Sequence, residues 1–183
     1  MIWQLSHRAD PKARELADRH YNRQNPNSPH FVPPGGCVVL YARTYSGRAF
    51  WVTSTPFGQY VRHRWPNAWV CSAFRNEGAG IASRMIVDAI MASVFMAGLP
   101  PPLGMVTFIN RKFVKPTFVR GVATYGRSYV LAGFEPDGET QGGLLAFRLS
   151  VDRFPPGDSP VVTDDMKATY DRMILKRPPW PHS

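Results

Sequence analysis

Apolar residues recur along this chain at two spacings, and the switches between them mark out its elements. Ala13, Leu16 and Ala17, with His20 or Tyr21 after them, fall three or four apart and predict one face of a helix. Asp10 before Pro11 reads as its cap and first turn, and the pattern runs out near Asn22. Residues 24–36 hold four prolines in thirteen positions, which excludes a helix and disfavours a central strand. A long loop is expected there, of the kind that often carries function. Cys37 to Ala42 and Ala49 to Ser54 are apolar runs about the turn Thr44-Tyr45-Ser46-Gly47, and together they predict a hairpin. Ala68 to Ala73 predicts an interior strand. Helical spacing returns from Ala79 to about Ala97, with Ile81, Met85, Ile86, Ala89, Ile90 and Val94 on the buried side. Gly98-Leu99-Pro100-Pro101-Pro102 stops it.

Beyond that stop the elements shorten. Met105 to Ile109 reads as a strand, and Asn110 to Tyr125 as a basic, irregular stretch. Arg127 to Ala132 reads as a short helix closed by Gly133 in a left-handed cap, and Gly142 to Val151 as a final strand. Asp164 to Leu175 predicts a helix within a proline-rich tail. This order gives an α+β fold around a mainly antiparallel sheet. At 183 residues one domain is expected, residues 1–154, with 155–183 as an extension packed on it.

Composition narrows the setting. No apolar run approaches a membrane span, and the first five residues are too short for the apolar part of a signal peptide. Two cysteines, Cys37 and Cys71, make no disulfide framework, so a reduced, cytoplasmic protein is expected. Net charge is +9, and it is uneven: residues 1–134 carry a net +11 and residues 135–183 a net −2. Seventeen of the 22 basic residues are arginine, which pairs with phosphate in a planar, two-pronged geometry. A basic body of this kind suits a polyanionic partner. Arg23, Arg62, Arg64, Arg111, Lys112, Lys115 and Arg120 are the candidate phosphate contacts. Tyr45, Trp51, Tyr60 and Trp65, interleaved with Arg43, Arg48, Arg62 and Arg64, are candidate stacking platforms.

The stretch Phe74-Arg75-Asn76-Glu77-Gly78-Ala79-Gly80-Ile81 links a predicted strand to the long helix. Free amides of a helix's first turn and the positive end of its dipole make an anion site. Glycine lets the backbone approach a ligand closely, and Arg75 suits a pyrophosphate. Neither Gly-x-Gly-x-x-Gly nor a Gly-Lys-Ser/Thr is present, which argues against dinucleotide and nucleoside-triphosphate sites. The five histidines show no zinc spacing with the cysteines, and carboxylate pairs are scarce before residue 135, which disfavours Mg-dependent phosphoryl chemistry.

The spacing Arg-x-x-Gly-x-Gly at Arg75–Gly80 resembles the pyrophosphate loop of the GNAT acyltransferases. The strand ending at Asn110 and the segment Tyr129 to Gly133-Phe134 resemble the second half of that fold. Asp18-Arg19-His20-Tyr21-Asn22-Arg23, then Phe31-Val32-Pro33-Pro34-Gly35 and Val38-Val39-Leu40, resemble the phage Mom proteins and their relatives. Those are GNAT-like enzymes that modify adenine in phage DNA and so block host restriction. Asn22 stands where many of those relatives have Ser, which leaves the role of position 22 open.

The resemblance implies a central mixed sheet flanked by helices, with acetyl-CoA or a related CoA thioester held on Phe74 to Ile81. It also implies a flipped adenine in double-stranded DNA as substrate, and the cytoplasm of a host cell as the setting. An acetamido-type group would go to the exocyclic amine. His20 is a candidate base because imidazole titrates near neutrality. Tyr21 or Tyr129 could protonate or orient the sulfur, and Asn110 could contact the cofactor arm. A GNAT acetyltransferase for a small amine or protein, and a non-enzymatic DNA-binding protein on the same scaffold, are the alternatives. Monomer and homodimer both stay open.

Overall fold

A computed structural model describes residues 1–26, 28–32, 34–56, 61 and 63–174. It contains a seven-stranded, mainly antiparallel mixed sheet with helices on both faces, so the α+β expectation holds. In chain order the elements are β1 (Gln4–Ser6), α1 (Pro11–Asp18), β2 (Gly35–Arg43), β3 (Arg48–Pro56), β4 (Trp69–Glu77), α2 (Ala82–Ala97) and β5 (Met105–Ile109). There follow β6 (Thr117–Val119), β7 (Val122–Thr124), α3 (Arg127–Leu131), β8 (Glu135–Glu139), β9 (Leu145–Leu149) and α4 (Asp164–Ile174). The sheet order is β1-β2-β3-β4-β5-β9-β8, and β6 and β7 form a separate hairpin.

The period-two pattern of the hairpin strands sorts two cores. Leu40 and Trp51 face α2 and join Trp3, Trp69, Ile86, Ile90, Met105, Phe134 and Leu149. Val39, Tyr41, Phe50 and Val52 face α1 and meet Ala13, Leu16 and Ala17. At the far end of the chain, Met166 of α4 is buried in the first core, and Val161 bridges to Gln4.

Several boundaries differ from the sequence reading, and four of them have a clear physical reason. Helix α1 starts as expected, with the Asp10 carboxylate accepting from the Lys12 amide, but it ends at Asp18 and not near Asn22. The next amides bond three residues back, Arg19 to Leu16 and His20 to Ala17, and this tighter turn releases His20 and Tyr21 from the helix. Strand β2 takes in Gly35 and Gly36 from the expected loop. The lack of a side chain at Gly36 leaves room for Thr55 on β3, since a Cβ there would lie 2.4 Å from its Oγ1.

Strand β4 runs four residues past Ala73, with Phe74, Arg75 and Asn76 paired to Trp51, Phe50 and Ala49, and α2 begins at Ala82 and not Ala79. The stretch Asn110 to Tyr125 is not wholly irregular, because Thr117–Thr124 fold back on themselves as β6 and β7 about Arg120-Gly121 at positive φ. Strands β1 and β8 were not expected. The Glu-Pro-Asp-Gly-Glu of β8 is poor strand sequence, tolerated because β8 is the sheet edge.

One pairing positions the site. Strands β4 and β5 are parallel, and they bond only across Trp69–Met105, Val70–Val106 and Cys71–Thr107. Beyond that point β4 continues to Glu77 along β3 and β5 continues to Ile109 along β9, so the sheet parts between them.

Candidate functional site

The parting of β4 and β5 opens a cavity of about 230 Å³. Its wall takes Cys71 to Phe74 from β4, Thr107 to Ile109 from β5, Gly126 to Tyr129 from the start of α3, and His20, Tyr21 and Asn22 from the turn after α1. A second cavity of about 320 Å³ lies on the α1 side, beneath the loop from Arg23 to Val32. His20, Asn22, Ser72 and Ala73 line both, so the two spaces meet at the imidazole. The larger volume falls at the lower end of the range for small-molecule sites, roughly 300–1,000 Å³.

A β-bulge places this junction. Val52 pairs with Ala73 and Thr53 with Cys71, so Ser72 has no residue opposite it. Its carbonyl accepts the Asn22 Nδ2 hydrogen at 2.6 Å. That bond fixes which end of the Asn22 amide faces His20, because Oδ1 then lies against His20 Nδ1. An amide oxygen only accepts, so this close contact calls for the ring hydrogen on Nδ1, in competition with the Asn22 amide, which points at the same atom from 3.4 Å. Burial pushes the His20 pKa below its ordinary 6.5, against the Asn22 bond, and the positive charge of Arg75 lowers it further. The imidazole is therefore neutral at neutral pH and available as a base. This gives position 22 a role that the sequence left open.

Tyr129 enters the first cavity from α3. Gly126, at φ +68°, starts that helix where a Cβ would lie 2.7 Å from Phe147 Cζ and 2.9 Å from Ile109 Cδ1. Only glycine lets α3 sit this close to β5 and β9. Tyr129 Oη lies 3.5 Å from Cys71 Sγ, and burial holds the phenol protonated by raising its pKa well above the usual value. Burial also pushes the Cys71 thiol up to about 12, so it is no nucleophile at neutral pH. Gly133 closes α3 at positive φ, as the sequence predicted.

Of the other two expected catalytic residues, one lines the cavity and one does not. Tyr21 lines the cavity, stacks on His20 with ring centres 4.6 Å apart, and donates to the Phe108 carbonyl at 3.3 Å. Asn110 lines neither cavity; its Oδ1 accepts the Lys112 amide and shapes the turn after β5.

The glycine turn differs from its expected form. Of Phe74 to Ile81, only Phe74 lines either cavity. Arg75 pairs with Phe50 across the sheet, while Phe74 pairs with Trp51 on the α2 side, so the guanidinium sits on the face away from α2. There its Nε bonds Glu77 at 2.6 Å and its Nη1 bonds the Arg19 carbonyl at 2.7 Å. Glu77, gripped by Arg19 as well, has its pKa drawn down to about 2. Asn76 ties the turn itself, accepting the Ala79 amide and donating to the Gly80 carbonyl. Gly78, at φ +86°, makes room for the β2–β3 turn, whose Ser46 hydroxyl bonds its carbonyl. What remains for an anion is the start of α2, where Ile81 offers no side-chain cap, together with Arg84 in the first turn. Arg84 is exposed and has no ion pair among the described residues. It was not among the expected contacts, although its place two residues into the helix is a readable signal.

The expected phosphate contacts divide. Arg23 is spent on the loop, bonding Asp18 and the carbonyls of Ser28 and His30. Arg64 pairs with Asp137 and lies over Trp65, and Arg111 pairs with Glu139. Lys112, Lys115 and Arg120 are exposed and have no ion pair among the described residues. Arg62 and Tyr60 lie outside the described residues. Of the expected platforms in the described residues, Trp51 and Trp65 are buried and so offer no face to a base, while Tyr45 is exposed on the β2–β3 turn. Sequence reasoning missed Phe113, whose ring is 64 % exposed and stacks on Tyr21. Among the described residues no group of three or more His, Cys, Asp or Glu is placed to hold a metal, and no helix is long and apolar enough to cross a membrane.

Compared with known proteins, the chain matches no family model, no curated protein and no solved structure.

Proposed function

We propose that the chain is a GNAT-like transferase that moves an acyl-type group from a CoA thioester to the exocyclic amine of adenine in DNA, as its resemblance to the Mom proteins implies. The observation that carries the reading is the cleft between β4 and β5, where a neutral His20 and a protonated Tyr129 line one cavity. An adenine amine is a poor nucleophile, because its lone pair is delocalised into the ring, so it must lose a proton as it attacks. His20 Nε2 takes that proton, and Asn22 keeps the ring in the tautomer that can accept it. Tyr129, kept protonated by burial, would supply a proton to the leaving sulfur. Tyr21, fixed by the Phe108 carbonyl, forms a wall against the imidazole.

The bound thioester supplies an activated carbonyl carbon and a thiolate leaving group. The uncapped start of α2 with Arg84 beside it would hold its diphosphate, rather than Arg75, which Glu77 and the Arg19 carbonyl already hold. The exposed Lys112, Lys115 and Arg120 suit a polyanion at the mouth of the cleft, where Lys115 lines the cavity.

Mass spectrometry of nucleosides from DNA of cells expressing the wild type or His20→Gln tests this. A modified adenosine that appears only with the wild type is expected. An unaltered pool, with the protein folded and thioester present, overturns the transfer reading.

A second reading has a specific observation in its favour. The tying of the turn by Asn76 and of Arg75 by Glu77 suits a DNA-binding protein that no longer holds a thioester. It predicts salt-sensitive DNA binding without acetyl-CoA affinity, which calorimetry reads directly.

A further inference from the structure

Three rings of the molecule form a ladder that ends in solvent. His20 stacks on Tyr21 at 4.6 Å and 27°, and Tyr21 stacks on Phe113 at 5.8 Å and 17°. The His20 end lies between the two cavities, and Phe113, 64 % exposed, is the outer rung. Phe113 is held in place by its backbone: its amide bonds the Asn110 carbonyl, in a turn that the Asn110 side chain closes through Lys112. This large apolar ring lies against Tyr21 and next to Val114 and Lys115 of the cavity wall, and contributes nothing to either core.

The charge of its own segment is of one sign. From Asn110 to Phe134 the sequence has five Arg or Lys residues and no Asp or Glu. Lys112 and Lys115 flank Phe113 at one and two residues, and Arg120 sits at the tip of the β6–β7 hairpin. Arg111 is the exception in availability, since Glu139 binds it. An exposed ring between unpaired cations matches a ligand with flat apolar faces on a polyanionic backbone. That is an unstacked stretch of nucleic acid, in which each base offers a π-face and each phosphate a charge.

We infer that Phe113 is a nucleobase-stacking platform, with Lys112 and Lys115 holding the adjoining phosphates, which places an unpaired base beside the cavity that His20 and Tyr21 line. The inference rests on the DNA reading above and adds the surface that would receive the strand.

The test is fluorescence anisotropy of a labelled single-stranded oligonucleotide with the full chain, as wild type, Phe113→Ala, Phe113→Trp and Lys112→Ala/Lys115→Ala. Stacking of one base predicts a loss of about 5- to 100-fold for Phe113→Ala, with Phe113→Trp retaining wild-type affinity. An oligonucleotide of abasic sites should bind the wild type and Phe113→Ala equally, because the ring then has no partner. The double lysine variant should weaken both oligonucleotides alike and lower the salt slope by about 1.4, since each phosphate contact to a single strand contributes about 0.7. A thermal melt of Phe113→Ala close to wild type shows that binding is read on a folded chain. Should Phe113→Ala bind as tightly as wild type, or lose as much on the abasic strand, the platform is overturned. Binding to anionic phospholipid vesicles that depends on Phe113, without nucleic-acid binding, also overturns it. These results are separable from failure of the transfer reading: base-dependent binding with unmodified adenosine leaves the platform standing, and modified adenosine with no Phe113 effect removes the platform alone.

Discussion

Two regions of the molecule have a claim to be its functional site, and they differ in what their polar groups have left to give. The glycine turn from Asn76 to Ile81 has its own bonds closed: Asn76 caps it, Ser46 holds Gly78, and Glu77 holds Arg75. The cleft between β4 and β5 is the reverse, for there His20, held by Asn22, stands beside two cavities, one of which Tyr129 also lines. A motif marks a place where a backbone must turn tightly, and an anion is one reason for that. Contact with a neighbouring hairpin is another, and Gly78 serves that one. Chemistry collects instead where a strand bulges and a sheet parts, because those faults leave donors and space together.

The sharpest way to break this contrast is to remove the proposed base. His20→Gln should cut nucleoside modification by about 10²–10⁴-fold while leaving the melting curve near wild type, since general bases contribute in that range. Modification at an undiminished rate would return attention to the glycine turn. The same histidine predicts a pH profile. Its folded pKa lies below 6.5, so the neutral base persists as the medium is acidified through 6.5, and activity falls only below that value. A profile breaking above 6.5 would mean that another group is the base.

Next in size is a pair of glycine substitutions. Gly126→Ala puts a Cβ against Phe147 and Ile109 at positive φ, and should cost about 2–4 kcal/mol of stability in urea unfolding. Gly80→Ala meets only Met85 at 3.5 Å and should change stability by less than about 0.5 kcal/mol. Equal costs would mean that the turn is as tightly packed as the cleft.

The cations sharpen the comparison further. Arg84→Ala should weaken acetyl-CoA binding about tenfold in calorimetry, as loss of a charge-assisted phosphate contact does, and Arg75→Ala should leave it near wild type. The opposite order would restore Arg75 as the phosphate ligand. The smallest effect is on acid stability. The ion pairs of Glu77 hold its carboxylate down to about 2, so its contribution is complete above the ordinary 4.5 and fades as pH drops toward 2. Glu77→Gln should flatten the stability curve across that window, and an unchanged slope would mean that the pairs with Arg19 and Arg75 do not persist in solution.

Much of the fold was legible because its cause is local. The cap at Asp10, the hairpin of β2 and β3, the apolar face of α2 and the glycine after α3 each follow from residues within a few positions of one another. His20 and Tyr129 were legible as chemistry-bearing residues, but nothing in their neighbourhoods said that one cavity would hold both. Strand β8 was illegible because an edge tolerates Pro136 and Gly138, where a propensity argument expects a loop.

By itself, then, the order of residues determined most of the longer elements and the lopsided charge, since periodicity and composition act over short stretches of chain. The tertiary structure alone decided that Arg75 faces away from α2, that Ser72 bulges to meet Asn22, and that Phe113 comes to rest on Tyr21. The reason is register. Which face a strand residue takes, and which distant side chain meets it, depends on how β3, β4 and β5 align, and a shift of one residue reverses every such assignment.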